Sequence, residues 1–190
     1  MRPILLASGS PRRRELLTQA GIPFEVIPSD AEELTGSSLP LAALVEENAR
    51  RKACSVSALR PGRIVLGADT LVCIGEHRLG KPKDRADAER MLRMLSGKSH
   101  RVVTGICLTD GKRTVSESVS TLVRFRTLSE ARISAYLDTG EYADKAGAYA
   151  IQGKGCVLVE RLEGDFYNVV GLPVCRVSEL LESFLGEVQP

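Results

Sequence analysis

The run Ser8-Gly9-Ser10-Pro11-Arg12-Arg13 puts a natural N-cap, a proline suited to the first helical position and the cations Arg12, Arg13 and Arg14 at the start of a helix. Cations at that end oppose the helix dipole, each at a cost of about 0.3–1 kcal/mol when exposed. An anion held between the guanidinium groups and the free backbone amides reverses the sign, and the planar fork of arginine suits phosphate oxygens. A solvated basic face is the alternative reading.

Carboxylates come next. Asp69 follows an apolar strand, between Ala68 and Thr70, and is expected to emerge at the sheet edge where open α/β folds place ligands. There it can hold Mg²⁺ or take a proton from water, or it simply makes a strand-end turn. Glu33, with Asp30 and Glu32, offers a second carboxylate to a metal or belongs to a solvated acidic loop. Asn48 and Lys52, one helical turn apart beside an apolar stripe, aim an amide and an ammonium into a cleft; otherwise Lys52 runs its stem over the core to reach water. Lys81 sits in a Gly-Lys-Pro turn that also reads as a surface loop. In the segment 144–153 small residues interleave with Tyr149 and Gln152, the pattern of a close-packed bend.

Other chemistries lack their residues. There is no GxxxxGK[ST] loop, no GxSxG elbow, no HExxH pair, and no Cys with a nearby His suited to nucleophilic attack. Many cations, few carboxylates and no evident covalent nucleophile suit metal-assisted attack of water on a phosphate ester or anhydride. A formal charge of +2, four Phe, four Tyr and no Trp argue against a nucleic-acid binder, which needs a basic face and stacking platforms. The five cysteines are widely spaced and form no CxxC pair, so they are expected to be free thiols in a reducing, cytoplasmic compartment. With only His77 and His100, a structural zinc site is not expected. The apolar run after Met1-Arg2-Pro3 is too short for a signal peptide, and no stretch is long enough to span a bilayer, so no membrane partner is expected.

These residues must be carried by elements that the pattern also predicts. A buried strand over 4–7 feeds a helix over 11–20 stopped by Gly21, and a second strand lies near 24–27. A polar loop then runs to Pro40. A helix over about 41–57 buries Ala42, Val45, Ala49, Ala53 and Val56, with Asn48 and Lys52 on its flank. A strand over 63–68 delivers Asp69-Thr70 at its carboxyl end, with 71–74 continuing. A helix at about 84–95 is followed by strands at 101–108 and 114–125, joined through the Asp110-Gly111 turn. Ser129 caps a short helix to about Leu137; a strand at 156–162 and a helix after Pro173 complete the order. Hairpins interrupt the βα units, so a mixed twisted sheet with helices on its faces is expected, in one domain spanning 1–190.

Eight segments in order resemble the Maf family of nucleotide pyrophosphatases, historically linked to septum formation. They are Ser8–Arg13, Glu47-Asn48-Ala49 through Lys52-Ala53, Gly67-Ala68-Asp69-Thr70, Gly80-Lys81-Pro82, Met91 through Gly97 with His100, Asp144–Gly147, Ile151-Gln152-Gly153 and Asn168–Pro173. The resemblance implies an elongated α/β fold shared with the inosine triphosphate pyrophosphatases, two lobes with a central cleft, and a homodimer. It implies hydrolysis of a nucleoside triphosphate at the α–β bond with Mg²⁺ or Mn²⁺, clearing unwanted or modified nucleotides. By carry-over, Asp69 accepts the proton of the attacking water or works beside the metal, and Glu33 assists the metal. Ser8, Arg12, Lys52 and Lys81 hold phosphates, and Arg13, Thr70 and Gln152 help select the base. Lys145-Ala146-Gly147-Ala148-Tyr149 followed by Ile151-Gln152-Gly153 looks like the dTTP/UTP branch. In the 7-methyl-GTP branch an acidic residue tends to stand where Gln152 is. The alternatives are 7-methyl-GTP as substrate, or a regulator of septation acting through protein contacts.

Overall fold

The computed structural model describes residues 2–35 and 37–186; Met1, Gly36 and 187–190, which the single-domain reading and the loop reading also take in, lie outside the described residues. The elements in chain order are β1 (Ile4–Leu6), α1 (Pro11–Gln19), β2 (Phe24–Val26), α2 (Leu41–Leu59), β3 (Val65–Ile74), β4 (His77–Leu79), α3 (Arg85–Leu95), β5 (Ser99–Thr109), β6 (Thr114–Phe125), α4 (Glu130–Leu137), β7 (Val159–Glu163), α5 (Phe166–Val170) and α6 (Val174–Gly186). Two 3₁₀ turns, Ala146–Ala148 and Lys154–Leu158, fill the glycine-rich segment. Among the described residues one mixed sheet of seven strands runs β2-β1-β3-β5-β6-β7, with β4 paired to β3. β1 is parallel to both β2 and β3, whereas β4 on β3 and β7 on β6 are antiparallel. The expected α/β class, a mixed sheet flanked by helices, is what forms.

The chain divides into two compact units, Met1–Asp69 with Thr104–Val119 and Gly171–Pro190, and Thr70–Val103 with Ser120–Val170. In the first, α2 lies directly on the strands. A Cβ built on Gly67 of β3 would overlap the Ala49 carbonyl and come within 2.8 Å of the Ala53 amide; one on Gly105 of β5 would overlap the Val45 carbonyl and sit 2.6 Å from the Glu46 amide. Backbone therefore meets backbone at two places, and only small residues fit the seam. Leu5, Ala7, Ala49, Ala53, Val56, Val65 and Cys107 form the core beneath it. The predicted stripe on α2 is corrected in one member: Ala42 is exposed and Leu44 is buried in its place.

In the second unit, Asp84 caps α3 by accepting from the Asp87 amide at 2.8 Å, and Ser129 caps α4 by accepting from Arg132. His100, Phe125 and Tyr149 stack edge to face, with centroids 4.7–5.4 Å apart. His100 Nε2 pairs with the Tyr149 hydroxyl at 2.8 Å, while its Nδ1 is buried without a partner among the described residues. Burial pushes this imidazole down to about 4.

Sequence and structure differ at several boundaries. β7 starts at Val159, three residues later than read, because Lys154–Leu158 winds into a 3₁₀ turn. The short elements β4 and α5 carry too little periodicity to be read from sequence. Ser10 occupies the N-cap position of α1, yet its side chain makes no capping bond. The five cysteines are free, as expected, and among the described residues no helix is long and apolar enough to cross a membrane.

Two outcomes are expected. Gly105→Ala should lower unfolding free energy by about 1–3 kcal/mol in urea titrations, because neither backbone can give way. For His100, the unfolded imidazole protonates near 6.5 and the buried one only near 4, so stability is full above that upper value and falls as pH drops through the window. The loss reaches up to about 3 kcal/mol, and the difference between wild type and His100→Gln across that window measures it.

Candidate active site

Strand alternation puts Gly67 and Asp69 on one face of β3, the face that α2 covers. Gly67 meets Ala49 and Ala53 of α2, so Asp69 two residues on is brought to Asn48 and Lys52, their immediate neighbours in sequence. The Lys52 ammonium donates to Asp69 Oδ1 at 2.8 Å and the Asn48 amide donates to Oδ2 at 3.0 Å. The Asp69 side chain is only 8% exposed and that of Lys52 13%, so this is a buried ion pair whose remaining lone pairs are met by an amide.

Asp69 lies in the middle of β3, not at a carboxyl end. In sequence a strand terminus is expected there because the run 64–68 is apolar and Asp-Thr breaks it. In the fold the break is β1's: β1 pairs with β3 at Val65 and Leu66 and then turns away into Ser8, leaving Asp69 beyond the end of that ladder.

Glu33 arrives from the loop between β2 and α2. Asn48 fixes that loop, accepting from the Leu34 amide through Oδ1 at 2.7 Å and donating to the Leu34 carbonyl at 3.4 Å. Glu33 Oε1 then lies 2.6 Å from the Lys52 ammonium, with its side chain 53% exposed. One amide side chain thus ties an irregular loop, a helix and a strand. In sequence it is expected as an amide aimed with Lys52 into a cleft, without its tie to the loop.

Arg13 turns back from the first turn of α1 instead of facing outward. Its Nε donates to the Gly171 carbonyl at 2.9 Å, and Nη1 donates to Ser8 Oγ at 2.9 Å and to the Ala68 carbonyl at 3.0 Å. Burial lowers its pKa from the ordinary guanidinium value, and the charge of Asp69 opposes that shift. The Ala68 carbonyl also lies 3.4 Å from the Lys52 ammonium, so two cations converge on the peptide just before Asp69. Ser8 Oγ in turn accepts from the Ser10 amide at 3.3 Å. Arg12 stays partly exposed and Arg14 exposed at the start of α1.

The first unit therefore gathers Ser8, Arg13, Glu33, Lys52 and Asp69, with Asn48 as the joint. Thr70, Lys81 and Gln152 belong to the second unit: Thr70 half-buried on β3, Lys81 and Gln152 exposed. The Lys81 turn is fastened to the glycine-rich segment by the Gly147 amide, which donates to the Gly80 carbonyl at 3.0 Å. Gly147 has a φ of 72° and faces Val72, where a Cβ would be 3.0 Å away, so both conformation and space require glycine.

A divalent cation finds oxygen donors of the right hardness here. Glu33 and Asp69 already converge on one cation, the Lys52 ammonium, and a small divalent ion needs only one or two carboxylates when phosphates supply the rest. Among the described residues no group of three His, Cys, Asp or Glu side chains is placed to hold a metal without such help.

The sequence profile of the family described as "Maf-like protein" matches residues 3–184. A Symbiobacterium thermophilum protein named dTTP/UTP pyrophosphatase is 50% identical over 184 residues, covering 97% of this chain and 95% of its own. Proteins of the same name from Bacillus cytotoxicus and Desulforamulus reducens are 47% and 45% identical, over 97% and 99% of this chain and 96% and 100% of theirs.

Replacing the joint tests how far the site depends on it. Asn48→Leu leaves the Leu34 amide and one Asp69 oxygen without their partner, and should cost about 1–3 kcal/mol by denaturant unfolding. Arg50→Ala, which removes an exposed pair with Glu47 on the same helix, should cost no more than about 0.5 kcal/mol.

Proposed function

The chain belongs to the Maf family, and on that premise we propose that it is a nucleoside triphosphate pyrophosphatase acting on dTTP and UTP. The observation that carries the reading is the Asp69 carboxylate, buried on β3 between Lys52 and Asn48 with Glu33 on the same ammonium. In the reaction water attacks the α-phosphorus, the bond from that phosphorus to the α–β bridging oxygen breaks, and pyrophosphate leaves the nucleoside monophosphate. Asp69 takes the proton of the attacking water, its position fixed by the two donors that hold its oxygens.

Charge explains why more than these groups is needed. Arg13 and Lys52 balance Asp69 and Glu33, so the set is formally neutral and the triphosphate must find its counter-charge elsewhere. Arg12 and Lys81 supply part of it, with the Ser8 hydroxyl as a neutral phosphate contact. Glu33 and Asp69 would hold Mg²⁺ or Mn²⁺, which when bound neutralises phosphate charge. Lys52, whose ammonium Glu33 and Asp69 share, would also donate to phosphate oxygens. Thr70 and Gln152 select the base, and the Gln152 amide offers both a donor and an acceptor to a pyrimidine edge. Arg13, whose guanidinium is engaged by Ser8, Ala68 and Gly171, acts by fixing the peptide before Asp69.

The reading is tested with purified protein, Mg²⁺ or Mn²⁺, and a nucleotide panel scored for pyrophosphate release. dTTP and UTP should have the highest kcat/KM. Asp69→Asn should retain the fold by circular dichroism and lose roughly 10²–10⁴-fold in kcat, the range for a positioned general base. Absence of pyrophosphate from both nucleotides with either metal would overturn it.

A further inference from the structure

Gln152 sits at the tip of a bend whose two ends are held by one short stretch of chain. On the near side, the Ala150 amide donates to the Tyr136 hydroxyl at 3.0 Å. On the far side, the two oxygens of Glu141 accept from the Lys154 and Gly155 amides, each at 3.0 Å. The bend is closed between these points: a Cβ on Gly155 would overlap the Ala150 carbonyl and lie 3.1 Å from the Tyr136 hydroxyl. Tyr136 is on α4, and Glu141 follows the end of that helix, where its amide donates to Thr139 Oγ1 at 3.2 Å.

Gly153 adds an independent sign that the carboxylate is built in. Its φ of −152° lies outside the left-handed region that favours glycine. A Cβ there would overlap Glu141 Oε1 and lie 2.8 Å from Cδ, so a side chain at this position has to displace the carboxylate. Two successive amides directed at one carboxylate make an anion-binding nest, filled here by the protein's own side chain.

We propose that Glu141 is a positioning residue for nucleotide selection: its carboxylate, seated on the Lys154 and Gly155 amides, fixes the bend that presents Gln152. This rests on the assignment of Gln152 to base selection made above. Glu141 reaches no reacting atom, so its removal loosens discrimination and leaves the hydrolytic step intact. Gly153→Ala should act through the same contact, because the new methyl displaces the carboxylate from its amides.

The test compares wild type, Glu141→Ala, Glu141→Gln, Gly153→Ala and the double variant Glu141→Ala/Gly153→Ala, with kcat and KM measured for dTTP, UTP, dCTP, CTP, dATP and dGTP. Glu141→Ala should cut the ratio of kcat/KM for the preferred over the next nucleotide by roughly ten-fold, mostly through KM, with kcat within about two-fold. Glu141→Gln, which keeps an acceptor oxygen, should recover part of the ratio. Gly153→Ala should match Glu141→Ala, and the double variant should be no worse than either, since one contact cannot be lost twice. Amide hydrogen exchange should show Lys154 and Gly155 losing protection in the variants while Ala150 keeps it. If wild type prefers a base other than thymine or uracil, the dTTP/UTP reading fails while the ratio still judges Glu141. If wild type hydrolyses none, the same ratios taken from calorimetric Kd values judge it. An unchanged ratio with lost protection, a uniform fall in kcat for every nucleotide, or additive effects in the double variant would overturn the proposal.

Discussion

The close approach of α2 to the sheet governs the geometry of this protein. At Gly67 and Gly105 the helix backbone lies where side chains would ordinarily separate the layers, and Ala49 and Ala53 complete the seam. A layer spacing set by larger side chains would carry Lys52 and Asn48 away from β3. Because dense interiors transmit displacements of this size, the ion pair with Asp69 depends on two missing methyl groups. Packing and chemistry are therefore decided by the same residues.

Around that contact the site is built as a set of mutual constraints. Asn48 couples the loop carrying Glu33 to the strand carrying Asp69, and Arg13 couples α1 to the peptide before Asp69 and to Gly171. Asn48, Arg13, Lys52 and Asp69 are each held by more than one partner. A buried arginine contributes here as a five-donor fork joining distant segments, in the way a lysine at that place could not.

Much of this was legible in sequence where the determining interactions are local. The Pro11 start of α1, the Asp110-Gly111 turn and the helices at about 84–95 and after Pro173 are all decided within a few residues, and they formed as read. What sequence reading misplaced depends on distant segments. Asp69 read as a strand end because Asp-Thr breaks an apolar run, whereas the space beside it comes from the departure of β1, which no neighbour of Asp69 encodes. The three acceptors of Arg13, Ser8, Ala68 and Gly171, likewise converge only in the fold, so the sequence around Arg13 does not show them. Glu141 was not singled out at all, since a carboxylate in a loop shows its use only when the amides it accepts from are in place. The glycine in each close approach was the available sign: Gly67 and Gly105 interrupt apolar strands, and Gly153 needs no unusual φ.

The two carboxylates on Lys52 differ sharply in exposure, 53% for Glu33 against 8% for Asp69. Dissolved salt screens the first bond and hardly reaches the second. Raising ionic strength therefore loosens the Glu33 side of the ammonium selectively, while the strand side stays clasped. The site thus has a compliant rim and a stiff floor, and it is the rim that meets solvent ions first.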